Sequence, residues 1–217
     1  MPYRVIPFVT GDFYHLYNRG LEKQAIFVNT RDYSRFIKTF FYYQIQNPKP
    51  KFSKYSVSKV FPIDPNKKIV DIICYCLMPN HFHLLLKQML EGGIEEFMRK
   101  ILNSYTKYYN TRYKRVGSLF QGQFKAVAIE SDEQLIHVSR YIHLNPYVAD
   151  LTSTLDNYNY SSYPNFIGIK ESSICVPQAI LGFFKSRGEY KAFINDHEDY
   201  ARELERIKHL LIDIDYD

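Results

Sequence analysis

The chain has no apolar run approaching the ~20 residues of a membrane span, and its opening "MPYRVIPFVTGDFYH" lacks the hydrophobic centre of a secretory leader. Both absences point to a soluble, cytoplasmic protein with no membrane partner. Cysteine is scarce. There are three, an odd number, and Cys74 and Cys76 sit two apart in an apolar run, which argues against a disulfide framework and for reduced thiols in a core. No collagen-like period, low-complexity tract or internal repeat interrupts the 217 residues, a length that can bury a real core. The remaining lack is local. From Phe97 to Ile129 there is no Asp or Glu, while Arg99, Lys100, Lys107, Arg112, Lys114, Arg115 and Lys125 all fall there. The net charge is +5, so the rest of the chain is slightly acidic. Interleaved with Tyr105, Tyr108, Tyr109 and Tyr113, such a block can neutralise phosphates and offer stacking faces to unpaired bases. A solvated helix face has the same composition.

What is present reads as alternating elements. "DFYHLYNRG" (12–20) alternates and ends in a turn signal, so it predicts a strand. "TRDYSRFIKTFFYYQIQ" (30–46) sets Tyr33, Phe36, Ile37 and Phe40 at helical spacing behind a Thr/Asp start. Residues 47–68, rich in Pro and Lys and without a period, predict a basic loop. "IVDIICYCL" (69–77) and "HFHLLLKQ" (81–88), joined through "MPN", predict a hairpin. A long amphipathic helix follows over roughly 93–113, then a strand over 121–130. Ser131 with Gln134 three residues on opens a helix through about Leu144. The order β-α-β-β-α-β-α predicts a ferredoxin-like α+β fold, an antiparallel four-stranded sheet with helices on one face. Beyond Asp150 the chain becomes turn-rich and then carries two helical patterns within 177–212, read as a C-terminal helical extension. We divide the chain into a domain over 1–165 and an extension over 166–217.

The hairpin holds the feature that asks for an explanation. Side chains alternate on a strand, so His81, His83, Leu85 and Lys87 share one face, and Phe82, Leu84, Leu86 and Gln88 share the other. The apolar face is expected to meet the helices and the histidine face is not. Residues two apart lie ~7 Å from each other at Cα, so two imidazoles can converge on one metal ion. H-x-H alone leaves a structural pair equally open. On the later helix, "LIHVSRYIHLNP" (135–146), the apolar stripe is Leu135, Val138, Ile142 and Ala149, and at ~100° per residue Tyr141 and Asn145 share one flank of it. Pro146 should end or kink that helix. Cys74 and Cys76 are expected on one strand face with Val70 and Ile72, in the core. His137 and His143 fall off the Tyr141 flank.

"MPNHFHLLL", a basic helix, "GSLFQGQFKA" and "RYIHLNP", in this order over about residues 9–165, resemble the single-tyrosine HUH transposase family, and most closely its REP-associated tyrosine transposase branch. The resemblance implies cleavage and rejoining of single-stranded or hairpin DNA by transesterification through a 5′-phosphotyrosine. It implies Tyr141 as the catalytic nucleophile, and His81, His83 and Asn145 as ligands of a divalent metal, Mg²⁺ or Mn²⁺. Many relatives carry Gln where this chain has Asn145. Lys107, Arg112, Lys114, Arg115 and Lys125 are the expected DNA-binding residues, with Lys49, Lys51, Lys54 and Lys59 as a second set. Two other functions fit the residues: a non-catalytic nucleic-acid binder, and a metal-dependent hydrolytic nuclease. Monomer and homodimer, with the tyrosine given in cis or in trans, stay open.

Overall fold

A computed structural model describes residues 7–58, 64 and 66–196. Strand β1 spans Phe13–Arg19, β2 Val70–Met78, β3 His81–Gln88 and β4 Lys125–Ala128. They form one sheet in the order β2-β3-β1-β4, and every named pair within it is antiparallel. Helix α1 (Thr30–Tyr43) joins β1 to β2, and α3 (Gly93–Tyr113) joins β3 to β4. A short helix, α2 (Phe52–Ser58), lies within the segment predicted as a basic loop.

Local chemistry explains where these elements begin. Asn29 caps α1, its side-chain oxygen accepting from the amides of Arg31 and Asp32 at 3.0 and 3.3 Å. Before α3, Gly92 takes a left-handed conformation (φ 69°), and a Cβ on Gly93 would lie 2.2 Å from the Ile69 carbonyl oxygen. The β2-β3 hairpin turns on Pro79 and Asn80 alone, since Met78 pairs with His81. Its tightness sets the register that puts His81 and His83 where they are.

The four-stranded antiparallel sheet and the α+β class agree with the sequence reading, but the helices do not keep to one face. Helices α1 and α3 cover the face of Leu16, Phe82, Leu84 and Leu86, and Phe36, Phe40, Phe97 and Tyr105 fill the space between. The histidine face is covered as well. Helix α4 (Asp132–Val148) packs across β2 and β3 on that side. Behind it lie α5 (Tyr163–Phe166), α6 (Gln178–Leu181) and α7 (Arg187–Asn195), whose Phe166, Ile180, Tyr190 and Ile194 share a second core with Leu135, Val138 and Ile142. The final helical pattern of the sequence extends into residues 197–212, outside the described residues.

Three smaller expectations change. A β-bulge at Ile73 shifts the register between Ile72 and Cys74, so Val70 and Ile72 face α1 and α3 while Cys74 and Cys76 join the histidine face. Helix α4 runs through Pro146 to Val148, because the proline deletes one bond near the C-terminus and the Ala149 amide still donates to the Asn145 carbonyl at 3.0 Å. Ala149 itself is exposed and is not part of the buried stripe. The N-cap of α4 is as predicted: Ser131 Oγ accepts from the Gln134 amide at 3.1 Å. Gln134 Oε1 reaches back one residue further than a capping box requires, to the amide of Glu130 at 2.6 Å.

Candidate active site

Directly paired residues of an antiparallel sheet share a face. Across the sheet this gives a row of Cys76, His83, Tyr17 and Lys125, with Met78, His81 and Arg19 above it and Cys74, Leu85, His15 and Val127 below. His83 is fully buried and His81 half-buried, so the pair runs from the core towards solvent. Their rings are 5.0 Å apart between centroids and nearly perpendicular.

Helix α4 delivers Tyr141 onto this row. It is 3% exposed, with its ring perpendicular to that of His83 at 5.3 Å and edge-on to that of His15 at 5.9 Å. The sequence pattern places Tyr141 on a flank of the apolar stripe, at its edge. It is deeper because α4 is covered on both sides: every residue from Val138 to Asn145 is buried.

The two imidazoles have different hydrogen-bond partners. Asn80 Oδ1, which can only accept, lies 2.7 Å from His81 Nδ1, so Nδ1 carries a proton. Nδ1 of His83 is 3.1 Å from Nε2 of His15, and its own Nε2 is a buried nitrogen with no hydrogen-bond partner. Burial holds the pKa of His15 down at about 3 and that of His83 well below the usual imidazole value, the latter further lowered by His81 and His15. His15 and His83 are therefore neutral at pH 7, and a neutral imidazole is the form that ligates a metal.

Asn145, 8% exposed, lies one turn beyond Tyr141 and donates from Nδ2 to the Tyr141 carbonyl at 3.1 Å. That bond leaves Oδ1, the atom a hard cation takes, as its other polar end. Among the described residues no three His, Cys, Asp or Glu side chains gather as a metal-holding group. His15 lies beside His83, one row below it where His81 is one row above, and it bonds to Nδ1 of His83 rather than flanking Nε2. A metal here would take two imidazoles with oxygen from an amide and water. The buried, partnerless Nε2 of His83 fits that donor set.

Other candidates resolve into structural roles. Cys76 Sγ contacts Met78 Sδ at 3.8 Å, and burial pushes the Cys74 and Cys76 thiols up, so they stay protonated core groups. His143 is bonded at both nitrogens, to Tyr190 Oη at 2.7 Å and Ser162 Oγ at 2.8 Å, and ties α4 to the C-terminal segment. The His137 ring packs against Phe193.

The basic residues divide. Lys107 and Arg112 line an open cleft of about 1020 Å³ between α1, α3 and the segment before α2, with Arg31, Arg35, Lys49, Lys51, Arg99 and Lys100 around it and no carboxylate among its lining. Arg112 also pairs with buried Asp32 at 3.7 Å. Since α1 and α3 lie on the far side of the sheet, this cleft does not open on the histidines. Lys114 ends α3 in a left-handed conformation, and the Arg115 guanidinium lies 5.8 Å from the Tyr109 ring. Of the five expected DNA-binding residues, Lys125 alone is on the histidine face of the sheet, exposed at its β4 edge. Lys59 is outside the described residues.

The sequence reading missed His15 and Tyr17. Their signal was the alternation of "FYHLYNR", which sets Phe13, His15, Tyr17 and Arg19 on one face, but nothing in that strand says that His83 is its neighbour.

Residues 53–145 match the family described as "Transposase IS200 like", a stretch that contains both histidines, Tyr141 and Asn145. The matched stretch is under half of the chain, and over it the chain is similar to the IS200-like transposases. Among solved structures, this chain resembles the REP-associated tyrosine transposase bound to a REP hairpin, with a TM-score of 0.55 and 14% identity over 77% of this chain and 86% of that one. That likeness is one of fold. A protein from Deinococcus radiodurans R1, provisionally assigned as a transposase, aligns with a TM-score of 0.36 and 10% identity over 70% of this chain and 99% of that one. No curated protein matches the chain in sequence. No helix among the described residues is long and apolar enough to cross a membrane.

Proposed function

We propose that this protein is a transposase that cleaves and rejoins single-stranded DNA through Tyr141, in the manner of the REP-associated tyrosine branch. The observation that carries the proposal is the gathering of His81, His83 and Tyr141, from a hairpin and a distant helix, on one covered face of the sheet. Tyr141 attacks the scissile phosphorus with its hydroxyl oxygen, a 5′-phosphotyrosine forms, and the 3′-oxygen leaves and takes up a proton. The reverse reaction rejoins strands, since one phosphodiester replaces another. A phenol of pKa ~10 needs its proton withdrawn to attack at neutral pH, and the burial of Tyr141 keeps competing water away. His81 and His83 would hold the divalent metal through Nε2 and Asn145 through Oδ1. Mg²⁺ or Mn²⁺ bound there would polarise a non-bridging phosphate oxygen and relieve charge on the leaving oxygen. One chain brings Tyr141 against its own His83, so the proposal needs no second copy to complete the site.

The cleft on the opposite side would take the double-stranded part of a hairpin by its phosphates, leaving the single strand to run round the sheet past Lys125 to Tyr141. The same cleft favours a second reading, a binder without chemistry. To divide them, labelled hairpin DNA with a single-stranded flank is incubated with the protein and Mn²⁺, quenched within one turnover and run on a denaturing gel. The proposal predicts a covalent adduct that Tyr141→Phe abolishes while DNA affinity stays within about twofold. An adduct that survives Tyr141→Phe overturns the nucleophile. Cleavage without an adduct indicates hydrolysis, and binding without cleavage indicates the binder.

A further inference from the structure

We propose that His15 is a positioning residue for His83: it accepts the Nδ1 proton of that imidazole and so turns the Nε2 lone pair towards the metal. The inference rests on the proposed metal site and adds a residue from a strand outside the H-x-H hairpin. His15 is 1% exposed on β1, its ring nearly parallel to that of His83 (17°) with Nε2 3.1 Å from Nδ1. The contact permits two arrangements of one proton. If His15 donates, the His83 proton is on Nε2, and a buried N–H is left with no acceptor. If His83 donates, Nε2 carries a lone pair with no partner. The second arrangement alone makes a ligand, because a nitrogen that carries a proton cannot coordinate.

The neighbouring histidine has its Nδ1 held by an acceptor in the same way. Asn80 Oδ1 accepts from Nδ1 of His81 at 2.7 Å, and the Asn80 amide is itself oriented by donating from Nδ2 to the Lys23 carbonyl at 3.2 Å. Asn80 and His15 thus stand in equivalent places behind the two imidazoles, one from the turn and one from the adjacent strand. His143, bonded on both sides, has no such vacant nitrogen and presents nothing to a ligand.

The test is the protonation pattern of His83 by nitrogen NMR of the histidine rings, with Mn²⁺ affinity by titration calorimetry alongside it. In the wild-type protein without metal, His83 is expected to carry its proton on Nδ1. His15→Gln, whose side-chain oxygen still accepts at that reach, should keep this tautomer and most of the Mn²⁺ affinity. His15→Phe should lose the tautomer and weaken Mn²⁺ about 10- to 100-fold. In a His83→Ala background, His15→Phe should cost nothing further. A His83 proton on Nε2 in the wild type overturns the inference, whether or not His15→Phe folds. So does a folded His15→Phe that binds Mn²⁺ like the wild type. Failure of the metal reading looks different: Mn²⁺ affinity is then unmoved by His81→Ala and His83→Ala, and the tautomer still decides the role of His15.

Discussion

The two faces of the sheet are both buried, yet they are finished differently. Under α1 and α3 the core is aromatic and aliphatic, and the hydroxyls of the α3 tyrosines are matched. Tyr105 and Tyr109 donate to the carbonyls of Ile26 and Ala25 at 2.5 and 3.0 Å, while Tyr108 and Tyr113 donate to buried Asp32 at 2.8 and 2.7 Å. Under α4 the buried set includes His15, His83, Ser139, Arg140, His143 and Asn145. His143 is satisfied at both ring nitrogens and His83 at one. A buried polar atom without a partner is destabilising. The difference is one of chemistry: one face closes its tyrosine hydroxyls on carbonyls and a carboxylate, and the other keeps an imidazole nitrogen of the kind that takes a metal.

The sharpest way to break this contrast is a pair of substitutions on opposite faces. Phe36→Ala empties a fully buried ring site under α1 and should lower the unfolding free energy by about 3–5 kcal/mol in urea. Tyr141→Phe keeps the ring and should change stability by less than about 1 kcal/mol, which also makes it a clean probe of chemistry. Equal losses in the two variants would mean that the faces are not specialised.

Asp32→Asn comes next. Its carboxylate accepts from Tyr108 and Tyr113 and from the Val28 amide at 3.0 Å, so it ties the start of α1 to the end of α3. Replacing one oxygen by a donor leaves a tyrosine hydroxyl without its acceptor and should cost about 2 kcal/mol, read as a lower thermal midpoint.

A pH experiment sharpens the other face. His143 has its pKa lowered to about 3 by burial, so below ~6.5 the unfolded chain binds a proton there that the folded one refuses. Stability is therefore lost as pH falls from ~6.5 towards 3, by about 2 kcal/mol from this residue between pH 7 and pH 5. His143→Phe should be less stable at pH 7, through loss of two hydrogen bonds, but should show a shallower fall between pH 7 and pH 5. Parallel curves for wild type and variant would contradict the assignment. The smallest effect belongs to the cleft: Lys107→Ala should weaken DNA binding modestly and reduce the slope of log affinity against log salt by about one, with cleavage of bound DNA unchanged.

How much of this was legible depended on the distance over which the information lies. Strand alternation was enough to put His81 and His83 on one face, and helical spacing placed Phe36 and Phe40 inward. Ser131 and Gln134 marked the start of α4. The cover over the histidines was not legible, because the polar flank of α4 looks solvated until residues 155–195 are folded onto it and Tyr190 and Ser162 meet His143. The bulge at Ile73 has no marker in "VDIICYC", so the two cysteines were assigned to the wrong face. Pro146 was over-weighted, since near a helix end it removes one bond that the next turn makes good. His15 was invisible as a partner because His83 is 68 residues away. The separation of the basic cleft from the histidine face also needed the topology, as both draw on the same acid-free stretch.

Locating the covalent bond tests the central claim most directly. The protein-DNA complex, trimmed by nuclease and digested, is fragmented by tandem mass spectrometry to find the residue that carries the nucleotide. The mechanism predicts the added mass on the phenolic oxygen of Tyr141, in a yield that depends on His81 and His83. Nucleotide on Tyr17, Tyr147 or any residue other than Tyr141 would contradict it.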